Sequence, residues 1–218
     1  MKLLALDLGS TAGWATWDGA ALEHGTWDMN AWGSGDAARL DLFSRRLSHN
    51  IQTRGITEVH AEEPFAGAAN GRQADVVLIG QQAFAMVICR RLHEAGKLTA
   101  PLRLHNPLHI KTACLGWTQR RPRPDEPGVK RSRRGMIFAK AQDVLEAVVR
   151  RHPDAGIRDP NAAIAVAILD LVRAEHQGTG APGATALNRA LVPRRPGRRI
   201  AAEAQATLLQ PDLGLRHG

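Results

Sequence analysis

Four acidic residues stand at the ends of predicted secondary-structure elements, where their side chains could do chemistry. Asp7 ends the first predicted strand, and Glu62 and Glu63 end the fourth. Asp159 opens the last predicted helix. Carboxylates that meet at one sheet edge repel one another unless they share a proton or a cation. Hard oxygen ligands of this kind suit Mg²⁺ or Mn²⁺ rather than zinc. Two such ions about 4 Å apart can activate water and stabilise the leaving oxygen in phosphodiester hydrolysis.

Each of these acids also has a simpler explanation. Asp7 could serve only in the turn after a strand, a position where Asp is common. Glu62 and Glu63 are adjacent, so one of them must point away from the other. Asp159 precedes Pro160, and Asp followed by Pro is typical of a helix N-cap with proline at the first helical position. Only the acids taken together favour a metal site.

The spacing of apolar residues predicts the elements that position these acids. In chain order they are strands 2–7, 12–17 and 21–28, helix 36–53, strand 56–61, helix 74–95, strand 101–105, and helices 107–115, 133–151 and 160–175. This order predicts an α/β fold with a five-stranded mixed sheet flanked by helices, in which three antiparallel strands precede βαβ crossovers. Strands one and four are then neighbours, and each ends in a carboxylate at the same edge.

Length and composition predict one domain and a tail. The 218 residues are 44% hydrophobic, enough for a sizeable core. We predict a domain over residues 1–176 and a weakly ordered basic tail over residues 177–218, which is rich in Gly, Ala, Pro and Arg. Cys89 and Cys114 lack C-x-x-C spacing, and no apolar run approaches the roughly 18 residues of a membrane span. We therefore expect a cytoplasmic protein with reduced thiols and no membrane contact.

Positive charge is concentrated in two segments. The net charge is +8, yet residues 1–60 are slightly acidic. Residues 118–134 carry seven basic residues against two acids, and residues 189–199 carry five arginines and no acid. Such clusters fit a polyanionic partner such as nucleic acid, although a solvated basic loop and tail remain the alternative. The clusters lack the helical period that membrane-surface binding requires.

Five segments, in this order and spacing, resemble RuvC-type Holliday-junction resolvases, particularly the divergent phage-type members. They are LALDLGSTAGWA, VHAEEPF, IGQQA, IKTACLG and DPNAAIAVAI, within residues 2–172. The resemblance implies a ribonuclease H-like fold and a homodimer. It also implies an endonuclease that makes paired nicks in branched DNA, such as four-way junctions, using Mg²⁺ or Mn²⁺.

The resemblance assigns roles to individual residues. Asp7 corresponds to the first-strand aspartate, and Glu62 corresponds to the strand-four glutamate because Phe65 follows it in E-x-x-F. Gly80-Gln81 corresponds to a Gly-Gln on the long helix that packs near the junction. Lys111, five residues before a glycine, corresponds to a lysine that contacts DNA near the scissile phosphate. Asp7, Glu62, Asp159 and Lys111 are the implied catalytic residues, and the three acids are the implied metal ligands.

The last motif departs from the family pattern. The family has D-x-x-D-A on the final helix, and here the second aspartate falls on Ala162, which supplies no ligand. Either an engineered replacement or a natural loss accounts for it, and Asn161 is a poor substitute because it sits about 100° around the helix. The expected DNA-binding residues are basic side chains in and near the loop that follows Lys111. They are Lys111, Arg120, Arg121, Arg123, Lys130, Arg133 and Arg134.

Three functions follow from these patterns. The first is a metal-dependent, structure-selective endodeoxyribonuclease that resolves Holliday junctions or other branched DNA, with Ala162 raising the alternative that this chain is inactive. The second is a DNA-binding accessory protein of recombination or packaging without catalysis. The third is a phosphotransferase of the actin and hexokinase type, because DLGST resembles its first phosphate loop. That class needs two such domains, usually more than about 300 residues together, so we do not favour it for 218 residues.

Overall fold

The computed structural model describes residues 1–31, 35–64, 72–120 and 137–179, with 72–75 and 120 as backbone only. The strands are β1 (Leu3–Asp7), β2 (Thr11–Trp17), β3 (Leu22–Asp28), β4 (Glu58–Glu62), β5 (Arg103–His105), β6 (Gln119–Arg120) and β7 (Ile137–Phe138). The helices are α1 (Asp36–Arg54), α2 (Arg72–Glu94), α3 (Pro107–Leu115), α4 (Ala141–Arg151) and α5 (Pro160–His176), and a 3₁₀ turn spans Pro153–Ala155.

Five strands form one mixed sheet in the order β3-β2-β1-β4-β5. β1, β2 and β3 pair antiparallel, whereas β4 lies parallel to β1 and β5 lies parallel to β4. The parallel pairs place the carboxyl ends of β1 and β4 side by side at one edge. The predicted mixed sheet, with three antiparallel strands followed by βαβ crossovers, is confirmed.

Both faces of the sheet are covered by helices, which explains the continuous apolar run of β1. Leu3 and Ala5 lie in a core cluster with α3, α4 and α5. Leu4 and Leu6, which alternate with them, lie in a second cluster with α1 and α2. The sheet is therefore the middle layer of the fold, and β1 packs against helices on both of its faces.

Helix α5 lies unusually close to the sheet because one glycine leaves room for it. A Cβ atom built on Gly13 of β2 would stand 2.1 Å from the carbonyl oxygen of Asn161 in the first turn of α5. Gly13 is also the residue paired with Asp7 across β1 and β2. The start of α5 is thus seated beside the end of β1.

The predicted helix over residues 133–151 is wrong in its first part. Helix α4 begins only at Ala141, and Ile137–Phe138 form strand β7, which pairs antiparallel with β6. The Ala139 N–H continues this pairing by donating to the Thr118 carbonyl oxygen at 2.9 Å. The helix starts where the Asp143 carboxylate accepts from the Lys140 N–H at 2.7 Å. Non-local strand pairing has overridden the local helical pattern, and residues 133–136 lie outside the described residues.

The remaining predictions about organisation concern the extent of the domain, the tail and membrane spans. Helix α5 ends at His176, and the division into a domain over residues 1–176 and a tail stays a prediction. The predicted tail lies outside the described residues except for 177–179. Among the described helices, none is long and apolar enough to cross a membrane.

Candidate active site

Asp7 and Glu62 come together because β1 and β4 are parallel neighbours. Leu6 is in register with Ala61, and each acid follows directly at the carboxyl end of its strand. The two partly buried side chains are hydrogen-bonded to each other. Two carboxyl groups can make this contact only when a proton or a cation lies between them.

The electrostatics of the pair reflect this contact. Burial, followed by the neighbouring charge of Glu62, raises the pKa of Asp7 well above its usual range. Burial also raises the pKa of Glu62. The charge of Lys111 opposes both shifts by lowering the pKa of each acid. The pair is therefore a partly buried acidic site whose fully ionised form favours a compensating cation.

Lys111 reaches the pair from helix α3, which follows β5. The Asn106 side chain caps this helix by accepting from the Leu108 N–H at 2.9 Å, and Pro107 occupies its first turn. The helix ends at Gly116 with φ of 76°, a left-handed conformation that favours glycine. These two ends fix a short helix with Lys111, partly buried, beside the carboxylates.

Asp159 serves as a helix cap and also lies close to Asp7. Its Oδ1 accepts from the Asn161 N–H at 2.8 Å and from the Ala162 N–H at 3.2 Å, which makes Asp159 the N-cap of α5. Its charge also contributes to the raised pKa of Asp7. The two explanations of Asp159 are therefore compatible. One of its oxygens accepts the capping hydrogen bonds, and its charge still acts on Asp7.

Ala162 lies in the first turn of α5 and is 2% exposed. Its backbone nitrogen would stand 2.8 Å from a Cβ built on Gly13, which is the residue paired with Asp7. The position therefore belongs to the part of α5 that is nearest the end of β1. It contributes a methyl group, whereas the family pattern has a carboxylate.

The donor set fits a divalent cation that completes its shell from elsewhere. In the described ranges, no group of three or more His, Cys, Asp and Glu side chains is arranged to hold a metal ion. Mg²⁺ needs no such group, since it usually binds one or two carboxylates together with waters and substrate phosphates. Asp7 and Glu62, a buried pair whose repulsion a cation would relieve, meet that requirement.

Two other predicted features differ in outcome. Glu63 is exposed, and its N–H donates to the His105 carbonyl oxygen at 2.8 Å, so it has the role of a solvated strand-end residue. Of the predicted DNA-binding residues, Lys111 is beside the acids and Arg120 is described by its backbone only. The others, which are Arg121, Arg123, Lys130, Arg133 and Arg134, lie outside the described residues, as does Phe65.

A row of polar contacts that we did not predict from the sequence lies on the same strand as Glu62. His60 is 1% exposed, and its Nδ1 is 3.0 Å from the Nε2 of His105. Its Nε2 is 3.5 Å from the Oε2 of Glu58, and the same oxygen is 3.3 Å from the Nε2 of His176. Every second residue of a strand lies on the same face of the sheet, so the side chains at positions 58, 60 and 62 of β4 share a face. This spacing is the signal in the sequence from which His60 could have been placed on the face of Glu62.

The fold occurs in solved structures of resolvases. Thermus thermophilus RuvC in complex with a Holliday junction substrate matches with a TM-score of 0.55 and 15% identity, over 84% of this chain and 99% of that chain. Another Thermus thermophilus RuvC structure gives 0.53 and 17% over the same shares. The yeast mitochondrial Holliday junction resolvase Ydc2 gives 0.47 and 8%, over 76% of each chain. No protein-family model and no curated protein matches the sequence.

These likenesses concern the fold. The mixed sheet, its strand order and its helices on both faces are those of a ribonuclease H-like α/β fold. The predicted fold class is therefore confirmed, and RuvC shares the chain's architecture over nearly the full RuvC length.

Proposed function

We propose that this protein is a metal-dependent, structure-selective endodeoxyribonuclease that resolves Holliday junctions or other branched DNA by paired nicks. One observation carries the proposal: Asp7 and Glu62 are in contact at the carboxyl ends of parallel strands, with Lys111 and Asp159 beside them. A fold shared with a RuvC solved on a Holliday junction substrate supports the choice of DNA. The excess of basic residues supports it as well.

The mechanism divides the work between the acids and the lysine. Asp7 and Glu62, with Asp159, would hold Mg²⁺ or Mn²⁺, which supplies an activated water and neutralises charge at the leaving oxygen. The charge of Lys111 acts on both acids, which supports the proposal that its ammonium group binds a phosphate brought to the same site. The hydrogen bonds that Asp159 accepts at the start of α5 hold that carboxylate in one orientation.

Paired nicks require two active sites, and a second copy of this chain would supply the second. Five apolar side chains of α2 are exposed by 43 to 53%. They are Val76, Ile79, Phe84, Met86 and Val87, which we call the α2 apolar face. Contiguous exposed apolar surface of this kind is typical of a protein interface. We therefore propose that the homodimer forms through the α2 apolar face.

A specific observation supports a second candidate, an inactive DNA-binding accessory protein. Ala162 supplies no ligand, and Asp159 uses one oxygen in the helix cap. The Asp7 and Glu62 pair argues for the nuclease, because two adjacent, partly buried acids would be unfavourable in a protein that only binds DNA.

We further propose a cytoplasmic protein, since Cys89 and Cys114 are free thiols.

Substitution of Asp7 tests the proposed function. We expect Asp7→Asn to lower the rate of junction cleavage by about a hundredfold or more, because it removes a cation ligand. Folding and junction binding should be retained, because binding rests mainly on Lys and Arg contacts with phosphates. The measurements are the single-turnover rate on a four-way junction with Mn²⁺, junction affinity and thermal unfolding. Asp18→Asn, in an exposed turn, is the control. An Asp7→Asn chain that cuts normally would contradict the assignment, and loss of folding would mean that Asp7 is structural.

A further inference from the structure

Gln81 is a fully buried polar residue on α2 that contacts the segment after Asp7. None of its surface is exposed. Its Nε2 donates to the Gly9 carbonyl oxygen at 3.0 Å, across 72 positions of sequence. Gly9 stands two residues after Asp7, in the turn that joins β1 to β2. The amide thus connects a helix on one face of the sheet to the turn that carries the candidate active site.

The turn is held from a second direction as well. The Met29 N–H, just beyond β3, donates to the Ser10 carbonyl oxygen at 3.0 Å. One side of the turn is therefore anchored by backbone and the other by the Gln81 side chain. Because Asp7 is the last residue of β1, its carboxylate direction depends on the turn that follows.

Close packing of α2 against α1 brings the Gln81 side chain within hydrogen-bond distance of the turn. A Cβ built on the preceding residue, Gly80, would lie 2.9 Å from a methyl carbon of Leu40 on α1. Ala85 and Cys89, further along α2, are small and fully buried. Small residues at these positions let α2 lie deep in the layer. The Gln81 amide then reaches the turn.

The hydrogen bond to Gly9 sets Gln81 apart from an apolar residue of similar shape. In the part of the chain that the structure describes, the Oε1 of Gln81 is buried and accepts no hydrogen bond. A methionine would fill the same space without a buried polar atom. The donated hydrogen bond to Gly9 is what methionine would lose.

We infer that Gln81 is a positioning residue of the candidate active site, which fixes the turn after Asp7 and thereby the Asp7 carboxylate beside Glu62. This inference rests on the proposed nuclease function for its effect on cleavage. Its effect on the turn is independent of that function. The two consequences are therefore measured separately.

The test compares Gln81→Met with Gln82→Met in the full chain. Gln82 is the next residue of α2 and is partly exposed, so it controls for a Gln→Met change on this helix. We expect Gln81→Met to speed amide hydrogen exchange in residues 8–11 by about tenfold, at unchanged exchange in the rest of the sheet. Single-turnover junction cleavage should fall by about tenfold to a hundredfold with junction affinity nearly unchanged, because the Asp7 carboxylate is misplaced.

A conservative variant keeps the test decisive. Gln81→Glu retains the shape of the side chain, and burial of a carboxyl group favours its protonated form, which can donate to the Gly9 oxygen. Gln81→Glu should therefore restore slow exchange at the turn and most of the cleavage. The inference is wrong if Gln81→Met leaves exchange at the turn unchanged, or speeds it without slowing cleavage, or if Gln81→Glu behaves like Gln81→Met. A native chain that cuts no branched DNA would contradict the proposed function instead, and turn exchange alone would then decide the role of Gln81.

Discussion

Ala162 occupies the first turn of α5, three residues after Asp159, and is almost fully buried. A carboxylate here would stand at the N-terminus of the helix, where negative charge is favoured. It would also crowd like charges at the end of β1. We expect Ala162→Asp to raise single-turnover junction cleavage by about tenfold or more, because it adds a cation ligand. Junction affinity should change little.

The control for this prediction is Asn161→Asp, which adds the same charge one residue earlier. Because it points about 100° around the helix, it should not raise cleavage. Ala162→Asp should also lower thermal stability without metal, and Mg²⁺ should restore it by binding the folded chain. Equal cleavage by the native chain and Ala162→Asp would show that position 162 is not a ligand position.

His60 predicts a pH dependence of stability. Burial, then the neighbouring charge of His105, lowers its pKa from 6.5 to about 4, with Arg103 acting in the same direction and Glu58 opposing. The unfolded chain therefore takes up a proton near pH 6.5, whereas the folded chain does so only near pH 4. This contribution to the free energy of unfolding is fully present above pH 6.5 and is lost as the pH falls towards 4. Its full size is about 3 kcal/mol.

Urea unfolding at pH 7.5 and pH 5 measures this effect. The native chain should lose about 2 kcal/mol more than His60→Asn over this interval, because the variant lacks the titrating group. His49→Asn, at an exposed position of α1, should keep the native pH dependence. The same loss in His60→Asn as in the native chain would mean that His60 is not the group responsible.

At this scale the sequence located the acids but not their neighbours. Apolar periodicity ends one strand at Asp7 and another at Glu62-Glu63, and the resemblance through Phe65 then selects Glu62. The contact between His60 and His105 depends on the register of β4 and β5, in which His60 pairs with Arg103 and Glu62 pairs with His105. Periodicity within one strand carries no information about register between strands.

At the scale of elements, the close packing of the first turn of α5 against β2 determines where Asp159 lies. Any side chain at Gly13 would occupy the space of the Asn161 carbonyl group. Gly13→Ala should therefore displace the first turn of α5, lower the free energy of unfolding by about 3 kcal/mol and reduce cleavage. Urea unfolding measures the first effect and single-turnover cleavage the second.

Gly35→Ala is the matched control for Gly13→Ala. Gly35 precedes α1 with φ of −78°, and a Cβ there would meet no atom within 4 Å. The stability of the Gly35→Ala chain should change by about 1 kcal/mol or less, because Gly35 is the N-cap of α1 and alanine is a poorer cap. A Gly13→Ala chain as stable as Gly35→Ala would show that α5 does not depend on the close approach.

The sequence predicted most elements of the sheet and its helices with nearly their observed bounds. β1 to β3, α1, α2 and α5 have the expected order and nearly the expected ends, and the short helix α3 begins and ends at the expected residues. β6 and β7 are two residues each and pair across 16 residues that lie outside the described ranges. A strand of that length has too few residues to show alternation, so the basic and apolar residues before Ala141 were assigned to α4 instead.

At the scale of the whole molecule, a resolvase must cut two strands at related positions, which one active site cannot do at once. A symmetric dimer presents two copies of the Asp7 and Glu62 site with a fixed relation. The α2 apolar face lies on the helix that carries Gln81, so the proposed interface and the hydrogen bond to the turn after Asp7 involve one helix. Dimer formation and paired nicking should therefore be lost together.

Val87→Glu tests this link. The side chain is 50% exposed in the α2 apolar face, and a glutamate there would lose its hydration when a second copy packs against it. We expect the dimer dissociation constant to rise by about a hundredfold, measured by analytical ultracentrifugation, and paired nicks in one junction to give way to single nicks. Val149→Glu is the control, because Val149 is an apolar residue of α4, 38% exposed and outside the α2 apolar face. It should leave both measurements unchanged. A Val87→Glu chain that remains dimeric would place the interface elsewhere. A monomeric chain that still makes paired nicks would separate dimerisation from cleavage and contradict the proposal that two copies act together.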